Sequence, residues 1–127
     1  MSSNSPHNQV AGPGSGRAGT SHWRQQRLTA VVLIPLGLWF AIALLGVDIS
    51  SHAALVTWIR KPMTTVLLSL TTICLIYHSW AGISVVIEDY VGGESARDTG
   101  RLLSSMVHAI LVAVCLFSIF RIALGTG

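Results

Sequence analysis

Charge is scarce in this sequence. Asp, Glu, Lys and Arg make up 10% of its 127 residues, against about 25% in an ordinary soluble protein. A chain this short has a large surface for its volume, and so few charges cannot cover that surface in water. This excludes a soluble globular enzyme and a charge-rich disordered protein. Eight basic and five acidic residues leave a net charge of +3. The basic residues are too scattered to form a phosphate-binding face, which excludes a nucleic-acid binder. Cysteine is nearly absent. Cys74 and Cys115 both fall in apolar runs without CxxC spacing, so no disulfide framework is expected and both read as reduced, buried thiols. No repeat of solenoid period is visible, and no apolar core followed by a small-residue cleavage site marks a secretory signal. What is abundant is apolar: 51% of the residues, with a mean hydropathy of +0.63. The composition is that of a membrane protein.

The pattern along the chain agrees. Residues 1–20 are rich in Ser, Gly, Asn and Pro with one charge, Arg17, and read as a flexible tail. The rest, 21–127, contains three apolar runs at about 28–47, 62–87 and 102–120. Each is long enough, at about 1.5 Å rise per residue, to cross a hydrocarbon core of about 30 Å. Pro35 lies inside the first, where a membrane helix tolerates it. The expected fold is therefore all-α, with three transmembrane helices. Arg17, Arg24, Arg27, Arg97 and Arg101 fall on one side of these spans, and Arg60, Lys61 and Arg121 on the other. The excess of positive charge places the N-terminus in the cytoplasm and the C-terminus in the periplasm of a bacterial-type inner membrane. Only the tail and two connections of about fourteen residues each lie outside, too little for a soluble catalytic domain. Any chemistry happens inside or at the edge of the bilayer.

The informative segment is 74–90, CLIYHSWAGISVVIEDY. His78 falls about 14 Å from the end of the second run. An ionisable group at that depth is costly and marks a candidate functional site. On a helical wheel Thr71, Cys74, His78, Gly82, Val85 and Asp89 form one stripe that is mostly small or polar and should face other helices rather than lipid. Trp80 and Ile87 point elsewhere. Three roles fit the imidazole: ligating a metal or haem iron, relaying protons, or bonding a neighbouring helix. His108 is a second intramembrane histidine, about 9 Å into its own run, a level that makes a two-histidine haem site within one chain awkward. Asp89 and Tyr90 close the helix about 16 Å from His78. The phenol suits the aromatic belt of a membrane interface, and equally a hydrogen bond to a quinone carbonyl with the carboxylate in support. Arg24 and Arg27, beside Trp23, suit contact with lipid headgroups; Arg27 also suits an anionic group such as a haem propionate.

The run His78-Ser79-Trp80-x-Gly82, six intervening residues, then Asp89-Tyr90 resembles the hydrophobic membrane anchor of succinate dehydrogenase, the D subunit of respiratory complex II. Arg27-x-Thr29-Ala30 at the start of the first span, the length and the three-span plan fit as well, over roughly residues 22–121. The resemblance implies packing with a second three-helix anchor of the cytochrome b type, haem b held between the two, and docking of the iron–sulfur and flavoprotein subunits on the cytoplasmic side. It implies that His78 is one axial ligand of the haem iron and that Tyr90 binds ubiquinone with Asp89 supporting it. It places Arg27 near the haem propionates. The chain would then be non-catalytic alone. No role carries over to His52, His108 or the cysteines; His108 reads as a hydrogen bond between helices. The rival readings are the anchor of a quinol:fumarate reductase, and a cofactor-free scaffold or small transporter subunit.

Overall fold

The computed structural model describes residues 15–125, with side chains from residue 23 onward. It is all-helical. Helix α1 spans Ser15–Leu45, α2 His52–Ile59, α3 Pro62–Tyr90 and α4 Glu94–Ala123. Among the described residues three segments are long and apolar enough to cross a membrane: Trp23–Leu45, Pro62–Tyr90 and Glu94–Ala123. They run up, down and up, which puts the ends of the described chain on opposite sides.

The packing is inverted relative to a soluble protein. Among the described residues the buried apolar side chains are only Leu36, Trp58, Ala81 and Ile119, whereas Thr64, Thr65, Ser69, Ser84 and His108 are also buried. Large apolar side chains such as Ile34, Leu38, Ile42, Val66 and Phe117 face outward. In hydrocarbon no water-driven force presses helices together, so small residues that allow close approach make the seams. Their hydroxyls need partners, and find them within the helix. Ser69 donates to the Thr65 carbonyl at 2.7 Å, Thr72 to Leu68 at 2.8 Å and Ser84 to Trp80 at 2.8 Å. Among the described residues no buried side-chain nitrogen or oxygen lacks a partner, as a bilayer interior demands. This is the architecture of a multi-pass membrane protein.

Helix α3 is the middle stave. It packs against α1 on one side and α4 on the other, and α1 and α4 do not pack on each other among the described residues. α1 continues through Pro35 without a break.

The element boundaries differ from the sequence expectation in three places. Residues 15–20, expected in the tail, are the first turns of α1; residues 1–14 lie outside the described residues. The first connection contains a helix, α2, whose start is capped by the Ser51 hydroxyl accepting from the Ala54 amide at 3.3 Å. Trp58 of α2 stacks on Trp39 of α1 with ring centroids 6.4 Å apart, and Thr65 of α3 donates to the Ile59 carbonyl at 2.7 Å, so α2 is pinned across the bundle end. The second connection, expected over 88–101, shrinks to Val91, Gly92 and Gly93. Charged residues end the hydrocarbon, not the helix: α3 and α4 both continue past it. Glu88 and Arg101 join them there at 2.8 Å, and the Arg97 Nε donates to the Val91 carbonyl at 2.7 Å across the turn.

Candidate functional site

His78 lies two residues from the middle of α3. The stripe it belongs to faces α1. A side chain at Gly82 would come within 3.7 Å of the Gln26 amide nitrogen. One turn along, the His78 Nδ1 lies 3.0 Å from the Thr29 Oγ1. Beside them the Tyr77 hydroxyl donates to the Gln25 side-chain oxygen at 3.1 Å. A small cluster of polar side chains therefore joins α1 to α3. Trp80 and Ile87 lie on the other flank: the Trp80 indole donates to Ser105 of α4 at 3.1 Å, and Ile87 packs beside Gly100.

The hydrogen bonds bear on the state of the His78 ring. The Thr29 Oγ1 lies 3.1 Å from the Gln25 carbonyl and 2.9 Å from the Gln26 carbonyl. When it gives its single hydrogen to one of these carbonyls, as helical threonines commonly do, it accepts toward His78 and Nδ1 carries the imidazole proton. Nε2 is left with its lone pair and has no hydrogen-bond partner among the described residues. An imidazole held by its Nδ1–H, with Nε2 bare, is the form in which histidine ligates a metal.

His108 is engaged at both nitrogens. Nδ1 donates to the Ser104 carbonyl at 2.7 Å, and the Ser79 hydroxyl lies 3.4 Å from Nε2. The expected bond between helices is present, joining α4 to α3. The level differs from the sequence reading. Through Ser79 the ring lies within about one residue rise of His78, because α4 starts eight residues before the apolar run begins and slides along α3. His108 nevertheless belongs to the α3–α4 seam and His78 to the α1–α3 seam, and no lone pair of His108 is left over.

The other candidate residues are not drawn to His78. Arg27 lies two residues from Thr29, hence about 200° round α1. It is exposed, with its guanidinium 4.2 Å from the centre of the Trp23 ring. Asp89 and Tyr90 end α3, Tyr90 being 83% exposed, and neither has a hydrogen-bond partner among the described residues. The described residues contain no group of three or more His, Cys, Asp or Glu that could hold a metal ion by side chains alone. What they offer is one imidazole nitrogen in mid-membrane and one phenol at the membrane edge. Thr29, whose hydroxyl meets the ring, was visible in the sequence as part of Arg27-x-Thr29-Ala30, but nothing there paired it with His78.

Comparison with known proteins bears on the whole chain. The succinate dehydrogenase hydrophobic membrane anchor subunit of Rickettsia bellii is 33% identical over 110 residues, which cover 86% of this chain and 79% of that protein. The protein of the same name from Paracoccus denitrificans is 25% identical over 120 residues, 94% of this chain and 92% of the other. The succinate dehydrogenase membrane anchor subunit of Reclinomonas americana is 31% identical over 85 residues, 64% of this chain and 70% of the relative. No solved structure matches. Residues 1–120 match the family described as succinate dehydrogenase/fumarate reductase transmembrane subunit. With the inverted packing, the three spans and these relatives together, the chain belongs to the succinate dehydrogenase/fumarate reductase transmembrane subunit family.

Proposed function

We propose that this chain is the hydrophobic membrane anchor of a succinate dehydrogenase, contributing one axial ligand to haem b and one wall of a ubiquinone site. The observation that carries the reading is the state of His78. Its Nδ1 lies 3.0 Å from the Thr29 hydroxyl and its Nε2 has no partner among the described residues, a setting that suits an iron-ligating imidazole. His108 has both nitrogens engaged, so a further ligand would come from a second, cytochrome b-type anchor subunit. Bound there, the haem supplies a one-electron carrier within the bilayer. This chain's residues hold and orient it. Thr29 fixes the imidazole, Gly82 removes a side chain one turn away, and Arg27 is assigned to the propionates because it lies about 3 Å along the axis from Thr29 on a long, outward guanidinium.

Tyr90 and Asp89 stand about half a membrane from His78, at the end of the bundle where α1 begins. With no partner among the described residues, the phenol can donate to a quinone carbonyl, and the carboxylate can orient it. The excess of arginine at this end assigns it to the cytoplasmic side of a bacterial-type inner membrane. There the iron–sulfur and flavoprotein subunits would dock and deliver electrons. The family also covers fumarate reductase; the curated relatives above all carry the succinate dehydrogenase name, which favours the oxidative direction.

The test is His78→Ala in the assembled complex. The expected result is loss or a clear shift of the b-type Soret band, with subunit composition retained. An unchanged spectrum in the intact assembly removes the axial role.

A further inference from the structure

The bonds across the α1–α3 seam leave the carboxamide of Gln26 unanswered. Thr29 meets His78, and Gln25 receives the Tyr77 hydroxyl. Gln26 also reaches from α1 into the seam, where its side-chain nitrogen would stand 3.7 Å from a side chain at Gly82. The residue is half-buried. Neither its amide oxygen nor its amide nitrogen has a hydrogen-bond partner among the described residues.

Its depth makes this costly. Gln26 is level with Gly82, and α3 stays free of charge for five residues beyond Gly82, up to Ile87. At about 1.5 Å per residue the carboxamide lies about 7 Å inside the hydrocarbon edge that α3 marks. An amide there without hydrogen bonds is unfavourable. The fully buried polar side-chain atoms of the bundle are all answered among the described residues. This one opens outward, so its partner comes from outside the bundle.

The position says which partner. Gly82 stands one turn from His78 on the same stripe, about 6 Å along the axis, and about 12 Å from Tyr90. The idle amide therefore belongs with the imidazole rather than with the phenol. A haem carries two propionates. A carboxylate within the bilayer needs hydrogen bonds and only accepts them, which is what the two amide hydrogens of Gln26 require. Arg27 lies about 100° further round α1 and serves the outer side. Gln26 serves the side that Gly82 leaves open.

We propose that the Gln26 carboxamide donates to one haem propionate in the space over Gly82. The proposal rests on haem ligation at His78 and adds the residue that receives the acidic edge of the same group.

The experiment compares assembled complexes by resonance Raman spectroscopy of the haem. Gln26→Met keeps the length of the side chain and removes its N–H. The propionate bending band should shift, and haem should pass about tenfold faster into excess apomyoglobin, as expected for one lost hydrogen bond to a charged group. Gln26→Leu should shift the band in the same direction, which keeps the test open if the methionine variant assembles poorly. Gln25→Leu removes a carboxamide from the same turn of α1 but not from Gly82, and should leave the band in place. An unmoved band in the Gln26 variants overturns the proposal. So does an equal shift in Gln25→Leu, which would mean a general loosening of α1. A Soret band that survives His78→Ala overturns haem ligation itself. A Soret band that depends on His78, with a propionate band indifferent to Gln26, overturns this proposal alone.

Discussion

At the scale of single residues, the chemistry turns on which atom of a side chain is already occupied. His78 has one nitrogen committed to Thr29 and one bare; His108 has neither to spare. Removing the Thr29 hydroxyl should release the ring without deleting it. Thr29→Val is expected to weaken haem retention about tenfold or more, the usual effect of losing a partner that orients a ligand, and Thr29→Ser to restore it; haem per complex, measured as the pyridine adduct, checks both. At the membrane edge, Tyr90→Phe should lower ubiquinone reduction while leaving succinate oxidation by an artificial dye intact. Equal loss of both would remove Tyr90 from the quinone site. Asp48 makes a prediction about pH. The Ser50 hydroxyl, and then the Ser50 amide, hold its carboxyl below the usual range. A lowered value means that this carboxylate favours the folded loop at any pH above about 3.9, the ordinary value, and that its contribution fades only as pH falls through the lower folded value. The loop should be indifferent to pH near neutrality, and Ser50→Ala should move the Asp48 titration upward, as read by carbon NMR of the labelled carboxyl. The sequence made His78, Asp89, Tyr90 and Arg27 legible because buried charge and interfacial phenol are conspicuous in an apolar chain. It left Thr29 silent, since a threonine in a span looks the same whether it bonds its own helix or a neighbour's.

At the scale of elements, the spans were legible and their ends were not. Hydropathy falls where the bilayer ends, but backbone hydrogen bonding goes on until the chain is made to turn. Gly93, at φ +88°, makes that turn, and Glu94 follows it as an acidic first residue suited to a helix start. A side chain at Gly93 meets no atom, so the cost of Gly93→Ala is that of its positive-φ, extended-ψ backbone alone, about 1–3 kcal/mol. Gly92→Ala, with ordinary φ and open space, should cost little. Thermal unfolding of the two variants in detergent separates them. The Glu88–Arg101 pair is half exposed, and Glu88→Gln should change stability by no more than about 1 kcal/mol. Helix α2 was hidden for a related reason. Eight residues are too few to show a span, and its hold comes from Trp39 on α1 and Thr65 on α3, outside the helix itself.

At the scale of the whole molecule, the three spans are joined through α3. Its seams are so close that Ala81 is 1% exposed. Ala81→Leu would force the helices apart, at an expected cost of about 1–3 kcal/mol, seen as a lower melting point of the assembled complex. The sequence showed that a small, polar stripe faces other helices, but not that α1 receives it while α4 takes the opposite flank. That depends on how the staves are arranged, which no local pattern encodes. The arrangement also sets a schedule for biogenesis. A ribosome delivers α1 first, and the groups that answer Gln25, Gln26 and Thr29 are still unmade until synthesis passes Gly82. α4, by contrast, meets its neighbour as soon as it emerges. A chain that ends within α2 carries a solitary span, whereas one that ends at Gly92 carries both members of the α1–α3 pair.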